Sequence, residues 1–123
     1  MINQTLKLIK VKTHFQAFHR WANAPDEVDF LRTYHRHLFH VTIKMSVAYS
    51  DREIEFFMVK KRLDEFLKGG YEGQEMEKSC ETIAEEIIYS FLEPQYGSNR
   101  RYEVEVSEDN ENSGIVISEP AKI

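Results

Sequence analysis

Five histidines punctuate the chain, and three of them fall where they could serve one ion. Tyr34 to Val47 reads as a strand, whose side chains alternate between two faces. His35 and His37 then share a face with Phe39, Val41, Ile43, Met45 and Val47. Arg36, Leu38, His40, Thr42, Lys44 and Ser46 take the other. Upstream, Ile9 to His19 alternates in the same way. Ile9, Val11, Phe15 and Ala17 set its apolar side, and His19 falls in phase with them. If these two strands pair, His19, His35 and His37 project from one end of a buried face, while His14 and His40 are out of phase. Three convergent neutral imidazoles suit one tetrahedral Zn2+ ion, with the fourth position left for water or substrate. Residues two apart on a strand lie ~7 Å apart at the backbone, near enough for both rings to reach one ion. On spacing alone zinc comes first, then iron, nickel or copper. The bland alternative is a set of hydrogen-bonded core histidines.

The elements that must position these residues follow from periodicity. A first strand is expected over Thr5 to Phe18. Leu6 and Leu8 are out of register with Ile9 and Val11, so a bulge or twist is expected near Leu8-Ile9. The connection from Arg20 to Tyr34 carries a turn signal at Asn23-Ala24-Pro25-Asp26. A loop this long between candidate ligands reads as a lid or active-site loop. After a turn at Tyr49 to Arg52, Glu55 to Lys68 reads as a helix with an apolar stripe of Phe56, Val59, Leu63, Phe66 and Leu67. Gly69 and Gly70 are expected to end it, and Tyr71 to Lys78 to form a loop. Ser79 is a good cap for a second helix, and Glu81 lies in its first turn, where the dipole favours an anion. That helix has the stripe Cys80, Ile83, Ala84, Ile87, Ile88 and Phe91, and Pro94 and Gly97 are expected to close it. Arg101 to Ser107 alternates as a half-buried strand, with Glu108 in phase with its apolar set. A turn from Glu108 to Gly114 leads to a last strand near Ile115 to Ser118. The order β-β-α-α-β-β predicts an α+β domain, a four-stranded antiparallel sheet with two helices on one face.

At 123 residues the chain is expected to form one domain over residues 1–123, burying roughly two-thirds of its unfolded surface. Hydrophobic content of 41% and charged content of 30% place it among ordinary globular proteins. A formal charge of -5 and a sequence pI near 5.5 give no electrostatic footprint for nucleic acid or an anionic membrane. No run approaches the ~20 apolar residues that span a bilayer, and the N-terminus lacks a signal-peptide core. The single cysteine, Cys80, excludes an internal disulfide, so a reducing cytoplasm is the expected setting.

Several motifs, taken in order, resemble the 6-pyruvoyl-tetrahydropterin synthase family, which includes the 6-carboxy-tetrahydropterin synthases of the queuosine pathway. Phe15-Gln16-Ala17-Phe18-His19-Arg20 looks like the family's Phe-x-Ala-x-His-Arg, and His35-Arg36-His37 like its His-Gly-His. Ile54-Glu55-Phe56 looks like the Ile-Asp-Phe that opens its first helix. Ser79-Cys80-Glu81-x-x-Ala84 looks like the Thr-x-Glu-x-x-Ala that opens its second, and Val106-Ser107-Glu108 like its terminal Val-x-Glu. The resemblance covers nearly the whole chain. It implies the tunnelling fold, in which subunits join their sheets into a barrel, usually as a hexamer of two trimers. It further implies His19, His35 and His37 as zinc ligands. Glu108 would anchor a pterin or purine-like ring, since a carboxylate accepts two hydrogen bonds from an amino-pyrimidinone edge, and Glu81 is a second ligand-binding candidate. The implied partners are a small heterocycle and further copies of the chain, as a trimer or hexamer.

The sequence also departs from the family. Arg36 stands between the two histidines in place of glycine. The family's general base, a cysteine four residues before the first of them, is here Leu31. The Asp-His relay carried between the helices is missing, because Glu55 to Glu93 contains no histidine. Cys80 reads as a small core residue. Proton abstraction therefore lacks its expected base, and Asp26, Glu27, Asp29 and Tyr34 on the loop are positioned by no motif. Three readings follow: a zinc-bearing binder with lost or altered catalysis; a zinc lyase or hydrolase on a pterin such as dihydroneopterin triphosphate, with a base elsewhere; and a structural or interaction domain. Arg100 and Arg101 read as an exposed pair flanking a strand, with phosphate contact as the functional alternative.

Overall fold

A computed structural model describes residues 4–120. Its elements are β1 (Lys7–His19), a 3-10 segment (Asp26–Arg32), β2 (His35–Val47), α1 (Phe56–Gly70), β3 (Glu75–Met76), α2 (Cys80–Glu86), a π-helical segment (Ile87–Leu92), α3 (Glu93–Tyr96), β4 (Tyr102–Glu108) and β5 (Ser113–Ser118). The sheet order is β3-β1-β2-β4-β5. The domain is α+β, but a five-stranded sheet and three helices replace the expected four strands and two helices.

β1 and β2 carry the longest alternating runs and pair without interruption from Lys7↔Val47 to His19↔His35. The expected bulge is absent. Leu6 and Leu8 lie on the outward side of the strand, 60% and 41% exposed, so the phase never has to change. The inward residues Val11, Phe15, Ala17, Phe39, Val41, Ile43 and Met45 join one core with the buried sides of the helices. The extra strand, β3, falls in the segment expected to be loop and runs parallel to the end of β1. Two residues carry no periodic signature. Backbone hydrogen bonds define this strand instead: Gly73 N–H donates to the Gln16 carbonyl at 2.7 Å and Phe18 N–H to the Gln74 carbonyl at 2.8 Å.

α1 starts at Glu55, whose carboxylate accepts from the N–H groups of Phe57 at 2.7 Å and Met58 at 3.1 Å. A carboxylate here satisfies orphan donors and complements the helix dipole. Val59, Leu63 and Leu67 are buried as the stripe predicts, whereas Phe56 is half exposed. α1 ends at Gly70, as Gly69-Gly70 lead one to expect; the left-handed turn comes three residues later at Gly73, φ +74. The N–H groups of Tyr71 and Glu72 meanwhile close on the Leu67 carbonyl. Ser79 caps α2 through its hydroxyl, which accepts from Thr82 N–H at 3.2 Å.

The second helix continues past Pro94 to Tyr96. Proline lacks an N–H and its ring excludes the carbonyl four residues back, here that of Ser90. The preceding turns widen to the π pattern, with Glu93 N–H bonded to the Ile88 carbonyl, which gives that ring room. Gly97, φ +96, then ends the helix. No helix of the described residues is long and apolar enough to cross a membrane.

Candidate metal centre

His19 is the last residue of β1 and His37 the third of β2, both on the face that meets the helices. Glu108 ends β4 directly opposite Phe39 in the β2–β4 register. Each falls in phase with its strand's buried set, so three strands bring them to one point. His19 Nδ1 lies 3.4 Å from Glu108 Oε1, and His37 Nε2 lies 3.6 Å from Oε2. One ligand atom from each of the three residues falls within 4.8 Å of the others.

The hydrogen bonds on the far sides of both rings decide where the lone pairs are. His19 Nε2 is 2.7 Å from the Lys78 carbonyl oxygen, which can only accept, so Nε2 carries a proton and, in the neutral ring, Nδ1 is bare. His37 Nδ1 is 2.6 Å from Asp109 Oδ2. The N–H of Leu38 at 2.9 Å from the other oxygen, and then the His37 ring, hold the Asp109 carboxyl below its ordinary range. It too accepts, and His37 Nε2 is bare. Those two bare nitrogens are buried and have no hydrogen-bond partner. Two imidazole lone pairs thus face a carboxylate with no donor between them. This is the donor chemistry of a metal site, with each imidazole braced by an acceptor behind it.

His35 does not join this group. Its Nδ1 lies 2.8 Å from the Thr33 carbonyl oxygen, and its ring stands edge-on to His37 with centroids 4.4 Å apart. Phase put His35 on the correct face. Its place as the first residue of β2, one step beyond His37, sets it beside the cluster rather than in it.

Asp109 escaped the sequence reading. Its role depends on a turn in which Asp109 and Asn110 both take positive φ, 53° and 60°, a conformation that Asp and Asn tolerate better than most residues. That turn carries the carboxylate across to β2. The Asp-Asn pair directly after a strand end was the available signal.

A cleft of about 440 Å³ opens beside the cluster. Trp21, Leu31, Cys80, Glu81, Glu108 and Gly114 contribute to its wall. The Arg20–Tyr34 connection, expected to be a lid, is a folded flap. Trp21 N–H donates to the Leu31 carbonyl at 2.7 Å, Arg32 Nε to the Ala24 carbonyl at 2.8 Å, and the Arg20 guanidinium lies 4.4 Å from the centroid of the Tyr34 ring. Leu31, standing where the family resemblance expects the base, is part of the apolar wall. Cys80 is the thiol in the cleft, and burial, then the charges of Glu108 and Glu81, push its pKa up to about 12. It remains a neutral thiol rather than a nucleophile. Glu81 sits at the start of α2 against Gly114, where an added Cβ would come within 2.7 Å of Glu81 N. Arg100 and Arg101 are already engaged: Arg100 with Glu53 at 2.7 Å, Arg101 with Glu103 and Glu119.

No family model and no curated protein matches the chain. Among solved structures it is similar to the crystal structure of the uncharacterized protein WS1659 from Wolinella succinogenes. The TM-score is 0.59 at 14% identity, over 94% of this chain and 100% of that one. At that identity the likeness concerns the fold alone.

Proposed function

We propose that this chain is a zinc-binding domain that holds a flat nitrogen heterocycle, of the pterin or purine type, without the lyase chemistry of the family it resembles. The observation that carries this is the convergence of two bare, buried imidazole nitrogens on Glu108. His19, His37 and Glu108 are the metal's three protein ligands in this reading, and the cleft supplies the fourth position. Glu108 replaces His35 because it already faces both nitrogens, whereas His35 lies outside the group of three whose ligand atoms fall within 4.8 Å of one another. Glu81, on the same cleft, then receives the amino-pyrimidinone edge of the ring. Bound zinc would supply a Lewis acid for a ligand oxygen. The family's base is not supplied at its expected position: Leu31 is apolar, and Cys80, the thiol in the cleft, holds its proton.

The assembly we propose is a homo-oligomer. β5 is an edge strand exposing Ile115 and Ile117, 58% and 50% exposed. Ser113 and Gly114 at its start line the cleft, so a second copy added at this edge would close the cleft at a subunit interface.

Metal analysis after zinc loading and dialysis tests the centre. Wild type and His35→Ala retain about one zinc per chain, and His37→Ala and Glu108→Ala lose it; zinc-free wild type would refute the proposal. Thermal-shift screening of the zinc form with pterins, guanine nucleotides and deazaguanines tests the cleft, with Glu81→Ala abolishing the shift. Turnover of dihydroneopterin triphosphate would overturn the non-catalytic reading.

A further inference from the structure

The opposite face of the sheet carries a feature that the metal centre does not use. Lys10 lies directly across from Lys44, and two steps along His14 lies across from His40, with ring centroids 6.1 Å apart. Lys12 stands between these pairs. Like charges directly opposite on a sheet are destabilising. This accumulation occurs in a chain whose net charge is -5, so it is not a bulk property. The strip continues over the edge of β1 to α1, where Lys60 and Lys68 line a groove of about 560 Å³ with Lys12, His14 and His40. A second hollow of about 290 Å³, holding Lys10 and Lys44, shares Lys12 and His40 with it.

Three carboxylates share this path and keep their charge, each already accepting from a neutral donor. Asp64 accepts from the Thr13 hydroxyl, Glu72 from Gln16 N–H at 3.1 Å, and Glu105 from the Ser113 hydroxyl at 2.8 Å. Among the described residues Lys10, Lys12, Lys60 and Lys68 have no ion-pair partner within 4.0 Å, and Lys44 reaches Glu103 only at 3.9 Å. Arg100 and Arg101, by contrast, are neutralised by nearby glutamates. A concave run in which five lysines outnumber three carboxylates, with imidazole donors at its centre, has the complementarity of an extended anion.

The geometry points to an oligophosphate-binding groove: Lys10, Lys12, Lys44, Lys60 and Lys68, with His14 and His40, take a linear phosphate chain, whether free or carried by a nucleoside. Lys10 and Lys12 are two strand residues apart, ~7 Å at the backbone. A chain of phosphates can meet lysines along the run from Lys44 to Lys68, whereas a single phosphate meets only one or two of them.

Titration calorimetry on the full chain, stripped of metal and dialysed, tests this with sodium tripolyphosphate, orthophosphate and ATP. Tripolyphosphate is expected to bind about tenfold or more tightly than orthophosphate, with affinity falling as salt rises. Lys12→Gln/Lys60→Gln is expected to weaken it about 10- to 100-fold, and His37→Ala to leave it unchanged. Both lysines are exposed, and Lys44→Gln gives a third, independent position. Equal affinity for ATP and tripolyphosphate identifies the phosphates alone as the ligand; tighter ATP binding adds a nucleoside contact to the same groove. Absence of binding at millimolar tripolyphosphate, or equal binding by both lysine variants and wild type, overturns the assignment. So does loss of binding in His37→Ala, which would place the anion in the histidine cleft.

Discussion

The side chain on which the proposed zinc site would most depend, after its ligands, is Asp109. It accepts from His37 Nδ1 and so orients the ring, and carboxylates that brace a metal-binding imidazole in this way typically contribute 10- to 100-fold in metal affinity. Asp109→Ala is therefore expected to weaken zinc binding by about that factor while keeping the stoichiometry, as read by competition with a chromophoric chelator. Little of this was legible in the sequence, because a left-handed turn and a contact across 72 positions leave no periodic trace. His19, His37 and Glu108 were legible, since strand phase alone puts a residue on the buried face. His35 shows the limit of that rule: phase gives the face and says nothing of which neighbour satisfies the ring.

Away from the centre, Arg100 donates to both oxygens of Glu53, Ala48 N–H bonds the same carboxylate, and together they lower its pKa from 4.5 to about 2. The folded state thus binds this proton less tightly than the unfolded chain. The stabilisation is fully present above pH 4.5 and is lost as pH falls from there toward about 2. Glu53→Gln should flatten the acid limb of the denaturation midpoint over that window and leave its neutral-pH slope unchanged.

At the level of elements, the approach of β5 to the start of α2 is the tightest constraint. A Cβ at Gly114 would meet Glu81 N at 2.7 Å and Glu81 Cα at 3.1 Å, and neither backbone atom can move alone. Gly114→Ala should cost about 1–3 kcal/mol, read in a urea titration, and should widen the cleft enough to weaken ring binding. The capped starts of α1 and α2 were legible because Glu55 and Ser79 act locally. The π segment was not. A stripe from Cys80 to Phe91 fits a regular helix, and the widening is imposed from downstream by Pro94. Gly69-Gly70 did mark the end of α1, although the left-handed turn itself falls at Gly73, beyond the helix.

For the whole molecule, the two-layer α+β plan followed from the order of alternating and stripe-like segments. β3 did not, because two residues held by backbone bonds have no pattern to show. A ligand that binds only the folded state raises stability by about 2.7 kcal/mol at a concentration one hundred times its Kd. Zinc should accordingly raise the melting temperature of wild type and not of His37→Ala. Ile117→Lys, at the exposed edge of β5, should shift the species seen by light scattering toward monomer without lowering zinc content.

Trp21 is the sole indole of the chain and Cys80 its sole thiol, and both stand on the wall of the same cleft. The molecule therefore comes with its own optics. Ultraviolet emission arising from tryptophan reports on that side of the molecule, so a docking heterocycle should dim it while occupancy of the lysine groove should leave it bright. The neutral thiol keeps a second record, since an alkylating reagent should mark it slowly, and more slowly still once a ring fills the space.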